Sequence, residues 1–249
     1  MNQILITGGL GYIGSHTIVE MFAAGYEPIV IDNLSKSPLE VKSRIEKIIE
    51  REITFRKVEL CNREEVDAVF QEFPNILGVI HFAAFLLVNE SVDKPLKYYY
   101  NNLLSTINLL QSMETRGIRN IVFSSSCAVY GMPENPCVDE NTPAQPAESP
   151  YGNTKVMCEK IIRDISATGT IDALSLRYFN PIGAHPSSII GEFQDGEPHH
   201  LVPYITETAI GKRKELKVFG FDYETRDGSC IRDYIHVIDI AKAHILAVK

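Results

Sequence analysis

The sequence predicts an α/β fold built on a doubly wound parallel sheet, followed by a smaller, incomplete lobe on its C-terminal side. Three observations predict it. Short apolar runs alternate with helical patterns through the first two thirds of the chain, as in strands buried on both faces and covered by helices. Gly8-Gly9-Leu10-Gly11-Tyr12-Ile13-Gly14 stands between the first apolar run and the first helical pattern. Asp32 closes the second run, eighteen residues beyond Gly14.

Strands are read at Gln3–Thr7, Pro28–Asp32, Thr54–Glu59, Leu77–Ala83, Ile121–Ser125 and Ala173–Phe179. A helix from Tyr12 to Ala24 joins the first two and is closed by Gly25, which has no Cβ to oppose a left-handed turn. Ser37-Pro38-Leu39-Glu40 combines a capping box with proline at the first helical position and predicts the start of a second helix. Asn62-Arg63-Glu64-Glu65 opens a third, running to Phe73, and longer helices fit Pro95–Arg116 and Tyr151–Ala167. Such βα units join parallel strands through right-handed crossovers. Pro133, Pro136, Pro143, Pro146 and Pro150 predict a loop from Gly131 to Pro150. Beyond Asn180 the pattern predicts a helix near Val202–Lys212 and strands near Leu216–Phe219 and Tyr234–Val237. Val237–Lys249 reads as an amphipathic helix without a C-cap, from which an early stop of the chain is expected. The expected division is a cofactor domain over residues 1–178 and a truncated substrate lobe over 179–249, whose last segment returns to the first domain.

With 24 Lys plus Arg against 32 Asp plus Glu, the 249 residues carry a net charge of −8, which disfavours the phosphate attraction that nucleic-acid binders use. No apolar run approaches the roughly 18–20 residues of a membrane span, and no basic leader precedes the first strand, so a cytoplasmic protein is expected. Cys61, Cys127, Cys137, Cys158 and Cys230 are odd in number and form no C-x-x-C pair, which supports neither a disulfide framework nor a metal site.

The glycine loop lets backbone approach a pyrophosphate, whose charge the unpaired N–H groups of a helix N-terminus favour. Its plainer reading is a tight turn with close helix–strand packing. Asp32 sharpens the first reading, because a carboxylate there accepts from an adenosine ribose and repels a 2′-phosphate; a turn or cap residue before Ser35 is its plainer use. NAD is therefore preferred over NADP, with Lys36 the one nearby cation of opposite tendency. Tyr151-Gly152-Asn153-Thr154-Lys155 places a phenol and an ammonium one helical turn apart, where the cation favours the phenolate and makes the tyrosine a usable general base; taken alone, the spacing reads more plainly as a surface pair. Ser124-Ser125-Ser126 ends a strand beside that helix, at the carboxyl edge where open α/β sheets bind ligands. Ser126 there reaches a substrate hydroxyl; capping of the following turn is the competing use.

Together with Tyr130-Gly131, Arg177-Tyr178-Phe179-Asn180, Gly183-Ala184-His185-Pro186 and Arg232-Asp233-Tyr234-Ile235-His236-Val237, these motifs resemble the extended short-chain dehydrogenase/reductase family, of Rossmann fold, over essentially the whole chain. Within it the nearest resemblance is to nucleotide-sugar 4-epimerases. The resemblance implies NAD-dependent epimerisation at C4 of a UDP-hexose through a transient 4-keto sugar. It implies Tyr151 as base, Lys155 holding the nicotinamide ribose and depressing the tyrosine pKa, and Ser126 on the sugar. It implies a cofactor lining of Gly8, Gly11, Tyr12, Ile13, Gly14, Asp32, Asn33, Glu59, Leu60, Phe82, Ala83, Asn101, Ser126, Tyr151, Lys155 and Phe179. Ser126, Tyr151, Asn180, His200, Phe219 and Arg232 fall to the nucleotide sugar, with Phe219 near the uracil and Arg232 on the diphosphate. Core packing is the alternative for Phe219, a surface ion pair for Arg232 and a surface histidine for His200.

Four positions depart from the family pattern. Leu86 stands where a lysine is usual, which predicts weaker cofactor retention; Glu59 replaces an aspartate, His200 an asparagine and Ala128 a threonine. Cys127-Ala128 also supplies no acid of the kind that related dehydratases carry after the serine, which favours epimerisation over elimination. Two other readings stay open: action on UDP-N-acetylhexosamines or another nucleotide sugar, and a catalytically silent NAD-binding module. A homodimer is expected through the two long helices, with Leu103, Ile107 and Leu110 as an apolar stripe that equally fits burial against the chain's own sheet.

Overall fold

A computed structural model describes residues 2–133, 135, 137–193 and 196–249. Six parallel strands, β1 (Asn2–Thr7), β2 (Tyr26–Asp32), β3 (Thr54–Lys57), β4 (Ile76–His81), β5 (Asn120–Ser124) and β6 (Asp172–Leu176), lie in the order β3-β2-β1-β4-β5-β6. The order reverses between β1 and β4, and ligands of open α/β sheets bind beyond the carboxyl ends at such a switch point. Alternate residues of each strand feed two cores. Leu5, Ile29, Ile31, Val79, Ile121 and Phe123 point to one face, closed by α3 (Arg63–Glu72), α5 (Pro95–Arg116) and α6 (Pro150–Ser166). Ile4, Ile6, Val30, Ile80 and Val122 point to the other, closed by α1 (Tyr12–Ala23), α2 (Glu40–Ile49) and the final helix α8 (Val237–Val248). Each fully buried Val, Leu or Ile contributes roughly 1.5–3 kcal/mol, so the period-two pattern commits the strands to this sheet.

The six sheet strands and the helices at Tyr12, Asn62, Pro95 and Tyr151 form as the sequence predicts, within a few residues at their ends. Gly25 takes φ +84° after α1, and Asn62 caps α3 by accepting from Glu64 N–H at 3.1 Å. The second helix differs. It starts at Glu40 with no side-chain cap, its first turn closed instead by Val41 N–H to Pro38 O at 3.1 Å, while Ser37 turns toward Gly11. A short helix α4 (Val88–Asp93) was not legible, because its six residues carry no full apolar period.

In the second lobe, α7 (Leu201–Ala209) forms near its expected place, and β8 (Tyr234–His236) pairs in parallel with β7 (Asn180–Ile182). The strand expected at Leu216–Phe219 does not form. Leu216, Val218 and Phe219 are exposed by 40%, 62% and 87%, and no described strand offers them a ladder. The prolines after Gly131 hold an irregular segment, except Pro136, which lies outside the described residues, and Pro150, which opens α6 after its Ser149 cap. α8 packs on α1 and on β5. Of the α5 stripe, Leu110 is spent on the chain's own core with Leu103 packed against it, whereas Leu96 and Tyr100 of α5 and Met157 of α6 stand exposed. Among the described residues no helix is long and apolar enough to cross a membrane.

Among the described residues His16, His81 and His244 are buried, and burial lowers all three imidazoles. Burial pushes His81 down to about 3 and His244 down to about 4 from an ordinary 6.5. In the unfolded chain both take a proton near 6.5, so the stability of the neutral folded forms is present above that pH and is lost as pH falls toward 4. The unfolding temperature is expected to decline between about pH 7 and pH 5, and His244→Phe to flatten part of that decline; a flat profile in the parent chain contradicts the account.

Candidate active site

The glycine loop leaves β1 at Gly8, whose φ of +64° and contact with the Ala83 backbone, 2.8 Å from a would-be Cβ, require glycine. A Cβ on Gly14 falls 2.6 Å from Gly8 O and 2.8 Å from Gly9 Cα, so α1 starts as close to the loop as backbone allows. Gly11 caps α1 without a side chain, and no acidic residue occupies the first turn, which leaves the N-terminal amides of Tyr12, Ile13 and their neighbours uncapped, a setting that favours an anion. Tyr12 Oη donates to Gly183 O and so ties the loop to the second lobe.

Asp32, at the end of β2, is buried and accepts from Leu10 N–H at 3.2 Å and Leu34 N–H at 2.9 Å. Burial pushes its carboxyl up and the two amides pull it back. Asn33 Nδ2 donates to Glu59 Oε2 at 2.9 Å, while Glu59 Oε1 accepts from Cys61 N–H at 3.0 Å, so the longer glutamate bends back to organise its own turn over buried Leu60. Glu59, Phe85, Lys97 and Asn101 border an open cleft beside it. The loop after β4 is set by β1: Phe82 N–H donates to Thr7 O at 3.2 Å and Ala83 N–H to Thr7 Oγ1 at 3.3 Å. Leu86, half exposed on this loop, brings no charge.

Two buried side chains that the sequence reading did not single out for a role hold this wall. His81 joins Thr7 Oγ1 at 2.7 Å and Thr106 Oγ1 at 3.1 Å. Thr106 donates to Asn102 O, so His81 Nε2–H donates to Thr106 and Nδ1 accepts from Thr7, whose oxygen is left to receive Ala83 N–H. Asn102 uses its whole amide: Oδ1 accepts from Phe85 N–H and Asn101, and Nδ2 donates to Phe85 O and Thr154 Oγ1, all between 2.9 and 3.0 Å. Asparagine in mid-helix was the available signal.

Tyr151 and Lys155 lie on the first turns of α6, where Ser149 accepts from Gly152 N–H and Ser91 from Tyr151 N–H. Lys155, 4% exposed, donates to Ser124 O at 2.7 Å, with its Nζ 4.8 Å from the Phe123 ring centroid and 6.0 Å from that of Tyr151. Burial pushes the ammonium down to about 8, opposed by Cys158 and Glu159. The tyrosine does not follow expectation. Burial pushes its phenol up to about 12, and Ser126 rather than Lys155 is the group that draws it back. The physical reason is that Lys155 spends its short hydrogen bond on Ser124 O, and desolvation outweighs a cation at that distance.

Ser126 caps a 3-10 turn over Cys127–Tyr130 and accepts from Ala128 N–H at 3.2 Å, so it both caps and stands beside Tyr151. Ser124 Oγ meets Tyr178 Oη, and half-buried Phe179 follows into β7. In the second lobe Asn180 Nδ2 donates to Asp233 O at 2.8 Å, which carries the Arg232 segment to within electrostatic reach of Cys127. Arg232 is exposed and donates to its neighbour Ile231 O, with no carboxylate partner among the described residues. Phe219 is 87% exposed, so core packing does not explain it. His200 pairs with Glu192, whose hydrogen bond holds the imidazole above its usual range. No described hydrogen bond or ring contact joins Phe219 or His200 to Tyr151, Lys155 or Ser126.

A sequence profile described as the NAD dependent epimerase/dehydratase family matches residues 4–249. The chain belongs to this family. It is 51% identical to the UDP-glucose 4-epimerase of Bacillus subtilis over 247 residues, 99% of this chain and 72% of that one. The solved UDP-glucose 4-epimerase of Bifidobacterium longum, in complex with NAD+ and UDP, superposes with a TM-score of 0.95 at 42% identity, over 99% of this chain and 74% of that one. The UDP-Glc/GlcNAc 4-epimerase of Campylobacter jejuni does so with a TM-score of 0.82 at 40% identity, over 98% and 73%.

Family membership puts weight on the glycine cradle. Gly14→Ala is expected to lower NAD affinity by at least about tenfold and stability by about 1–3 kcal/mol, because the clash is with backbone. Equilibrium dialysis with NAD and thermal unfolding check both; unchanged affinity contradicts the cradle.

Proposed function

We propose that this chain epimerises C4 of a UDP-hexose, interconverting UDP-glucose and UDP-galactose, with NAD as its cofactor. One observation carries the reading: Tyr151, Lys155 and Ser126 converge at the carboxyl end of β5, on the side of the sheet where the glycine loop leaves β1. The residues fit a dinucleotide. A Cβ at Gly8 or Gly14 would fill the cradle, the start of α1 is uncapped by any side chain, and Asp32 keeps lone pairs for ribose hydroxyls. Gly8, Gly11, Tyr12, Ile13, Gly14, Asp32, Asn33, Glu59, Leu60, Phe82, Ala83, Asn101, Ser126, Tyr151, Lys155 and Phe179 are proposed to hold it. Bound there, NAD supplies the hydride exchange at the sugar carbon.

The protein's own work is positioning and proton transfer. Tyr151 takes the proton of the C4 hydroxyl and returns it when the ketone is reduced from its other face, so no net redox results. Ser126 is the group that draws the buried phenol down, and Lys155, one turn away, is proposed to add positive charge there as the proton leaves. Ser126 orients the reacting hydroxyl. Asn180, Arg232, Phe219 and His200 in the lobe beyond residue 178 hold the nucleotide sugar, Arg232 on the diphosphate, since its exposed guanidinium fork suits a phosphate and meets no carboxylate among the described residues. Cys127 and Ala128 place no acid beside Tyr151, which supports re-reduction over elimination.

Action on N-acetylated sugars is the second reading, supported by the dual-substrate name of the Campylobacter relative. The exposed residues Leu96 and Tyr100 on α5 and Met157 on α6 support a homodimer through these helices, and the chain is proposed to work in the cytoplasm.

Conversion of UDP-galactose to UDP-glucose with added NAD is expected, and Tyr151→Phe is expected to lower it by about 10²–10⁴-fold while NAD still binds. NAD binding without turnover of any UDP-sugar points to a silent module; turnover restricted to N-acetylated sugars points to the second reading. Light scattering at micromolar concentration is expected to give twice the chain mass, and a monomer contradicts the helix interface.

A further inference from the structure

Glu159 lies one turn beyond Lys155 on α6 and is 6% exposed. Its carboxylate is held from two directions. Arg177, just past β6, donates Nε to Oε1 at 2.9 Å and Nη2 to Oε2 at 2.6 Å, and Ser125 Oγ donates to Oε1. Arg177 in turn lies 5.0 Å over the Tyr130 ring. The pair is therefore bidentate, with Glu159 buried and Arg177 half-buried, and it grips the residue next to the one whose carbonyl receives Lys155.

The surroundings of Lys155 make that carboxylate consequential. From its own helix Lys155 faces Tyr151, Cys158 and Glu159; from β4 it faces neutral His81; from β5 the Phe123 ring and the Ser124 carbonyl; and Arg177 stands behind Glu159. Among these Glu159 is the one group that bears negative charge, and no carboxylate forms a direct ion pair with Lys155 among the described residues. A salt bridge buried only to lock α6 onto the sheet adds little over packed apolar residues. Placed one turn below a catalytic ammonium, it does more.

We propose that Glu159, clamped by Arg177 and Ser125, is a positioning residue of the epimerase, which keeps Lys155 charged and aimed at the end of β5. The role rests on the epimerase reading, whereas the charge coupling is a property of this chain alone. Carbon-13 NMR of the Lys155 side chain in lysine-labelled protein, assigned with Lys155→Arg, follows its titration without any turnover.

Parent protein is expected to titrate near 8. Glu159→Gln leaves two cations without an anion between them, and its midpoint is expected to fall by about half a unit or more. Arg177→Gln frees the carboxylate for Lys155 and is expected to move the midpoint upward, which serves as the test where the first variant does not fold. UDP-galactose turnover by folded Glu159→Gln is expected to lose its alkaline side at correspondingly lower pH. Midpoints that stay together in parent and variants overturn the proposal, as does a turnover loss equal at every pH. Absence of turnover in the parent sinks the epimerase reading and leaves the titration result standing.

Discussion

Lys155 brings an ammonium into a wall made by Phe123, Cys158 and the Tyr151 ring, and its 2.7 Å bond to Ser124 O is the polar contact that makes this burial tolerable. A charge desolvated there is costly unless hydrogen-bonded and compensated, so the rest of the catalytic edge is arranged around it. Ser124, the last residue of β5 and in register with Leu176 of β6, presents its carbonyl to Lys155. The neighbouring serines then divide their tasks: Ser125 secures Glu159, and Ser126 caps the turn that stands against Tyr151.

The cofactor wall is built on the same economy of buried polar groups. Thr7, His81, Thr106 and Asn102 form one chain of hydrogen bonds from β1 through β4 to α5, and its ends hold the amides of Ala83 and Phe85. The loop after β4 is thus positioned by buried groups of β1, β4 and α5. Its floor, by contrast, is sterically defined, since Gly8 and Gly14 leave no room for a methyl group against neighbouring backbone.

The missed and misplaced elements share a cause. A strand at Leu216–Phe219 fits the local pattern, but apolar alternation needs a partner edge and a face to bury, and the described residues offer it neither. The capping box at Ser37 is locally sound, yet Ser37 is drawn to the glycine loop and the helix begins later. Glu59, legible as the acidic residue after β3, turns out to be engaged with Asn33 and its own turn.

The sequence by itself determined the parallel sheet, its glycine loop, the Asp32 carboxylate and the Tyr151–Lys155 pair, because each is written within one helical turn or one βα unit, where periodicity and steric demand are local. Tertiary structure decided how deeply that pair is buried. Burial carries the phenol up and the ammonium down, against the simple expectation of a cation beside a tyrosine, and desolvation is set by every element packed around a group. It also brought together Ser125, Glu159 and Arg177, which lie on β5's exit, α6 and β6's exit, so that no single stretch of sequence displays the charge balance they create.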